Sequence, residues 1–448
     1  MTRYTSATDR DRREMLAAIG AGSIDDLFAD IPESLRLSAP LELPDGMAEQ
    51  DVYDHLAQLA ARNRHCEDEV SFLGAGMYDH YVPALIDSII QRSEFLTPYT
   101  PYQPEVSQGG LQAMFEFQTA ISELTGLPVA NASLYEGPSS VASAGYLALL
   151  ENRRSRFVTS RGVHPHSRAA LETYGRGFGT TLHETPLDER GATDLDALAA
   201  AVDDDTAAVF LQQPNFLGTV EDLGPLVEAA QRTGALVVCS VDPLTLGVLE
   251  PPGAFGVDIA VGEGQSLGNR LDYGGPSFGF FAAQDRFIRR MPGRIAGETV
   301  DADGRRGFVL TLQTREQHIR REKATHNICT SQALNAVAGV IYLSWLGRRG
   351  IVELGELMLR RTHYAREALG LQPVTPGPVV REFAVRVPDL DDLFRRARAE
   401  RVNPGYRLGR DYPEYADGLL VAITERRTRA DIDRLAGLVA RSREGVAA

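Results

Sequence analysis

Three prolines and two tyrosines crowd one stretch of this chain, Thr97-Pro-Tyr-Thr-Pro-Tyr-Gln-Pro-Glu-Val-Ser-Gln-Gly-Gly110. Proline fixes φ, lacks an N–H and restricts the residue before it, so the stretch reads as an extended, stiff path rather than a helix. Tyr99, Tyr102, Gln103, Glu105, Ser107 and Gln108 are thereby displayed on an inflexible loop. Such a loop suits a site whose fixed polar groups orient a ligand. A proline-stiffened connection with its tyrosines packed on neighbours fits the same spacing. The second chemical feature is a scarcity. Of 46 basic residues only Lys323 is a lysine, and the other 45 are arginine. An amine nucleophile must come from lysine, because the guanidinium of arginine stays protonated. Arg320 and Arg321 beside Lys323 would favour its neutral form. A lysine on a charged surface helix, with Glu316 and Arg320 four residues apart, is the plainer reading.

Other residues carry weaker signals. Glu136-Gly-Pro-Ser-Ser140 stands between a strand pattern and a helix pattern. Free N–H groups at such a helix start can hold a phosphate near Ser139, or the helix is simply capped. Asp242 precedes Pro243 after a strand, as a turn former does. His164-Pro-His166 offers two histidines on a turn, with no clear third ligand for a metal. Glycines 262, 264 and 268 are spaced one residue too long for a dinucleotide-binding loop. Cys66, Cys239 and Cys329 form neither a metal pair nor a disulfide framework, so a reducing cytoplasm is the simplest home.

These residues need elements to position them. Residues 9–60 read as a helical arm. Between 125 and 290, short apolar strands at 130–134, 156–159, 180–184, 207–212, 235–240, 258–261 and 279–281 alternate with helices at 139–152, 167–174, 195–201 and 223–233. Strands that are apolar on both faces, separated by helices, imply a mostly parallel sheet covered on both sides. After residue 330 come two long helices, 331–346 and 351–369. A strand at 381–387, a helix at 390–400, a strand at 418–424 and a last helix capped by Thr428 and Asp431 follow. The boundaries drawn from this rhythm are an arm over 1–60, a large α/β domain over 61–328 and a small α+β domain over 329–448.

Charge and hydropathy exclude several roles. Sixty-one acidic against 46 basic residues leave a net charge of −15, which disfavours binding to nucleic acid or anionic membranes. No apolar run reaches the length of a membrane span, and the first residues lack a signal-peptide core.

The chain resembles the glycine cleavage system P-protein family, in the α subunit (subunit 1) of its two-chain form. The resemblance is carried by the 97–110 stretch, Phe115-Glu-Phe-Gln118, Asn131-Ala-Ser-Leu-Tyr-Glu-Gly-Pro138 and Gly262-Glu-Gly-Gln-Ser-Leu-Gly268. Gly274-Gly-Pro276, Arg321-Glu-Lys-Ala-Thr325, Asn327-Ile-Cys-Thr330 and Thr424-Glu-Arg-Arg427 extend it over nearly the whole chain. It implies an α/β, aspartate-aminotransferase-like fold of the fold-type-I pyridoxal-phosphate transferases. It also implies decarboxylation of glycine with transfer of the aminomethyl group to the lipoyl arm of H-protein.

In that fold the Schiff-base lysine belongs near 262–268, where this chain has Ser266. Lys323 comes about 57 residues later. The resemblance therefore implies a pyridoxal phosphate bound through a lysine of the β subunit (subunit 2), with two α and two β chains assembled. Ser139, His164, Asp242 and Ser266 would be relics of a cofactor pocket, Asp242 at the place of the partner of the pyridine nitrogen. Tyr99, Tyr102, Gln103, Glu105 and Ser107 would form one wall of the working site. Lys323, Thr325 and Asn327 would serve partner contact or structure. Two alternatives stand beside this reading: a self-sufficient enzyme using Lys323, and a non-catalytic scaffold or regulator.

Overall fold

The computed structural model describes residues 6–39 and 41–447. Contacts divide the chain into two units, residues 1–64 and 65–448. In the first unit, helix α1 (Asp9–Ile19) starts at a reciprocal cap between Thr8 and Asp11. Helix α2 (Glu49–Ala60) follows two short 3₁₀ turns, and no residue of α1 or α2 is buried.

The second unit is built on a seven-stranded sheet. After helix α3 (Gln108–Thr125) come β1 (Val129–Ala130), α4 (Gly137–Asn152), β2 (Arg156–Ser160), α5 (Pro165–Phe178) and β3 (Thr181–Thr185). Then follow α6 (Leu195–Ala201), β4 (Thr206–Gln213), α7 (Leu223–Gln231), β5 (Leu236–Val241), β6 (Ile259–Glu263) and β7 (Gly279–Ala283). The spatial order is β1-β7-β6-β5-β4-β2-β3. The pairs from β6 to β3 are parallel, and β7 is antiparallel to both β6 and β1.

Both faces of the inner strands are dry, whereas the edge strand β3 is largely exposed, and β4 and β5 show it residue by residue. On β4, Val209 and Leu211 join one core cluster while Ala208 and Phe210 join the other. On β5, Val237, Cys239 and Val241 alternate with Leu236 and Val238 in the same way. Side chains on a strand point alternately to opposite faces, so a strand covered on both sides must be apolar throughout.

A hairpin of β8 (Ile295–Val300) and β9 (Arg306–Thr311) follows the sheet and packs on α3. Helix α8 (Ala333–Leu369) leads into a three-stranded antiparallel sheet of β10 (Glu382–Arg386), β11 (Tyr406–Arg407) and β12 (Gly418–Ala422). Helix α9 (Leu390–Ala399) and helix α10 (Arg429–Ala447) complete this smaller layer, with Ile432, Leu435 and Leu438 in its core. Thr428 and Asp431 cap α10 reciprocally at 2.8 and 3.2 Å. Among the described residues no helix is long and apolar enough to cross a membrane.

Two local readings change, and a third holds with a kink between its helices. The strand expected at 130–134 stops at Ala130, because the Asn131 side chain takes the Ser133 N–H at 3.2 Å and turns the chain. The two helices expected at 331–346 and 351–369 are both present within α8, separated by a kink at Gly347, whose φ of 60° and ψ of −177° need a residue without Cβ. The charged helix expected around Lys323 is a four-residue turn, Gln317–Arg320, followed by a 3₁₀ turn, Arg321–Lys323. Glu316 is buried there and faces Arg294 at 3.7 Å rather than Arg320.

Candidate active site

The carboxyl ends of β2, β4, β5 and β6 open on a cavity of about 420 Å3. Parallel strands present their C-terminal ends to ligands in this class of sheet. His164, Asp242 and Ser266 line it together, although 102 positions separate the first from the last. Pro138 lines it from the start of α4, and Arg381 from the small sheet. Lys323 is exposed on its turn and is not part of the lining.

A pyridoxal phosphate needs an amine, a phosphate cradle and a carboxylate free to meet its ring nitrogen. The amine is missing, since no lysine lines the cavity; Ser266, where the resemblance implies the lysine, is 3% exposed. The cradle is filled by the chain itself. The Glu136 carboxylate accepts the Ser139 N–H, and Glu263 accepts the Gly137 N–H, both at 3.0 Å. Pro138 has no N–H, and the Ser140 N–H goes to the Glu136 carbonyl at 3.1 Å. No donor at this helix start remains for a phosphate, and two carboxylates repel one. Burial pushes the Glu263 carboxyl up, while the Gly137 N–H, the Ser277 hydroxyl and the Gln265 N–H stabilise its charge.

Asp242 is also taken. Its Oδ2 lies 2.5 Å from Nε of the buried Arg381. Arg381 stacks over Tyr78 at 3.5 Å and touches His80, whose Nδ1 meets Glu425 at 2.6 Å. Burial works against the Arg381 charge, but Asp242, Tyr78 and Glu382 outweigh it and raise its pKa. Glu382 accepts the Ala75 N–H and the Tyr78 hydroxyl, each at 2.8 Å, and burial pushes its carboxyl up to about 7. His164 is equally committed. Its Nδ1 accepts the His166 N–H at 3.0 Å and its Nε2 donates to the Ala75 carbonyl at 2.9 Å. Burial holds its pKa down to about 4, so the ring is neutral. Ser139, His164, Asp242 and Ser266 thus do not fit a pyridoxal phosphate.

The proline loop lies elsewhere. Its path bends at Thr97 and Tyr99, makes no α-helix up to Gln103 and then turns at a 3₁₀ segment, Pro104–Val106. Gln108 fixes it: the side-chain amide donates to the Pro104 and Phe308 carbonyls and accepts the Phe308 N–H, at 2.7 to 2.8 Å. Gln108 was read only as one more polar group on the loop, since its partner Phe308 lies 200 positions away. Tyr102 meets the His318 ring at 5.5 Å, and Arg294 lies 5.5 Å from its ring centre. Tyr99, Gln103 and Glu105 are exposed, as is Tyr102 at 46%. Ser107 sits at the turn, where its N–H donates to the Pro104 carbonyl.

Other motifs converge near this loop. The Tyr135 hydroxyl accepts the Cys329 N–H at 3.0 Å, and Ser133 accepts the Gln332 N–H at 3.2 Å. The stretches around 131–138 and 321–332 therefore form one unit, with Thr325 half-buried, and Lys323 and Asn327 exposed.

The family model of the glycine cleavage system P-protein matches residues 2–439. A probable glycine dehydrogenase (decarboxylating) subunit 1 of Carboxydothermus hydrogenoformans is 48% identical over 97% of this chain and 98% of its own length. The same-named protein of Geobacillus kaustophilus is 48% identical over 96% and 97%. Among solved structures, an inhibitor-bound glycine decarboxylase (P-protein) of the glycine cleavage system superposes with a TM-score of 0.87 at 45% identity. That match covers 98% of this chain and all of the other. A sphingosine-1-phosphate lyase of Burkholderia pseudomallei shares the fold alone, at a TM-score of 0.66 and 17% identity over 92% and 95%. The architecture is that of the fold-type-I pyridoxal-phosphate enzymes, and the chain belongs to the glycine cleavage system P-protein family, in its subunit 1 form.

Proposed function

We propose that this chain is the α subunit of a two-chain glycine decarboxylase and works only with a β subunit, as an α2β2 assembly in the cytoplasm. The net reaction breaks the bond between Cα and the carboxylate of glycine. CO2 leaves, Cα bonds one sulfur of the lipoyl disulfide of H-protein, and the other sulfur takes a proton. The observation that carries the division of labour is the cavity whose polar groups are already taken. With Ser266 in place of lysine and the helix start closed by Glu136 and Glu263, the cofactor and its lysine are assigned to the partner chain.

This chain then contributes a wall. Tyr99, Tyr102, Gln103 and Glu105 stand out from a loop clamped by Gln108, so they meet a facing surface in a fixed geometry. Held groups of this kind orient a substrate and keep water out. Ser107 supports the turn, and Thr325 and Asn327 belong to the segment beside it.

The test is exchange of labelled bicarbonate into the carboxyl group of glycine by the co-purified subunits with H-protein. Neither subunit alone should support it. Tyr102→Ala or Glu105→Gln in the assembly should lower it at least about tenfold, with melting temperature unchanged. Full exchange from the β subunit alone, or from both variants, removes this chain from the chemistry.

A further inference from the structure

A second cavity, of about 390 Å3, shares no lining residue with the first. One wall is aromatic. Tyr146 of α4 stacks on Phe178 of α5 at 4.4 Å, and Tyr174 meets Phe178 edge-on at 5.9 Å. The other wall is the segment 317–327, through Arg321, Thr325 and His326.

His326 is the informative residue, at 7% exposure. Burial, helped by the charges of Arg315 and Arg294, holds its pKa down to about 4, so the ring is neutral near pH 7. Its Nδ1 accepts the Ile328 N–H at 3.2 Å. The ring proton therefore sits on Nε2. That N–H is buried and meets no acceptor among the described residues, and the buried Thr325 hydroxyl has no partner either. Buried donors in folded proteins are nearly always paired. Two unpaired donors on adjacent residues lining one cavity indicate an acceptor that the chain does not supply.

Arg321 adds a charge. Its side chain is exposed and makes no hydrogen bond or ion pair among the described residues. Its backbone is held at φ 58° and ψ −130°, a conformation side chains avoid. Strain of this kind persists where the surroundings enforce it, and it clusters at ligand sites.

We propose that this cavity binds a small oxyanion, a carboxylate or a phosphate ester, carried on a flat apolar body. The oxyanion accepts from His326 Nε2, the Thr325 hydroxyl and the Arg321 guanidinium. The body lies against Tyr146 and Phe178, as aromatic faces favour. The buried Arg294 and Arg315 nearby add positive potential, which suits an anion. The site is separate from the cavity at Asp242, with which it shares no lining residue.

Calorimetric titration tests it, on the full chain and on its complex with the partner subunit, with phenyl phosphate, benzoate, inorganic phosphate and phenol. Phenyl phosphate or benzoate should bind saturably, and their order tells phosphate from carboxylate. Phenol, without the charge, and inorganic phosphate, without the ring, should bind at least about tenfold more weakly. Thr325→Val and Arg321→Gly should each weaken the better ligand about tenfold. Both should fold, since valine matches threonine in shape and glycine accepts the backbone of residue 321; equal melting temperatures verify this. Absence of saturable binding in both chain and complex, or binding that both variants leave intact, overturns the proposal.

Discussion

Two regions of this molecule treat their polar groups in opposite ways. At the carboxyl ends of β4, β5 and β6 every group that a cofactor would use is answered from within. Glu136 and Glu263 close the start of α4, Arg381 holds Asp242, and both His164 nitrogens are bonded. On the surface formed by residues 97–107 the side chains are left open. Tyr99 and Val106 are each 78% exposed, and Gln103 and Glu105 find no partner among the described residues. The difference follows from burial. An unpaired charge in a closed cavity costs several kcal/mol, so a cavity without its ligand must satisfy itself. An exposed tyrosine or glutamate meets water and waits for a partner at little cost.

The contrast can be broken most sharply at Arg381. Arg381→Met leaves Asp242 with no counter-ion, and the loss of stability expected is about 3–5 kcal/mol, read by urea unfolding. Asp242→Asn in the same chain should recover part of that loss, because the two sites are coupled. A loss near zero would mean that Asp242 does not depend on Arg381 as its counter-ion. Glu382 gives the next effect, through pH. Its folded pKa of about 7 lies above the ordinary 4.5, so its contribution is fully present below 4.5 and disappears as pH rises through 7. Glu382→Gln has no proton to lose there. Relative to the parent it should gain on the order of 2–3 kcal/mol between pH 4.5 and 8. The buried Glu221 carboxyl, which burial also pushes up to about 7, and the His164 ring titrate in both proteins and drop out of the difference, so parallel pH curves would refute the assignment. The smallest effect belongs to the open region. Gln108→Ala removes three hydrogen bonds and should cost about 1 kcal/mol of stability, while glycine exchange by the assembly falls more than that figure explains. If the prolines alone hold the loop, neither quantity moves.

Much of the scaffold is legible in the chain because burial on both faces writes a continuous apolar code. The strands at 156–159, 207–212, 235–240 and 279–281 lie within one or two residues of those observed. The hairpin of β8 and β9 was passed over, although Asp301-Ala-Asp-Gly304 is a turn signal, with Gly304 at φ 77°. Its strands are half exposed, so their apolar code is weak. The cap of α10 was readable from Thr428 and Asp431, since capping is a contact between near neighbours. A capped start of α4 is one of the two readings that Glu136–Ser140 allows, and the structure shows the cap, with the Glu136 carboxylate taking the Ser139 N–H; the choice between cap and phosphate cradle depends on the partner of each N–H.

The sequence by itself determined the fold class, the absence of a lysine near 262–268 and the proline-rich path, free of α-helix, over residues 98–104. These depend on residue type and short-range spacing, which the chain carries locally. Only the tertiary structure decided that the polar groups around the cavity at Asp242 are answered from within the chain. Arg381 reaches Asp242 across 139 positions and Glu263 reaches Gly137 across 126. It also decided that Tyr102 meets His318, and that His326 keeps a buried N–H without an acceptor. Whether a polar group is satisfied depends on what folding brings within about 3 Å of it, and no local pattern encodes that distance.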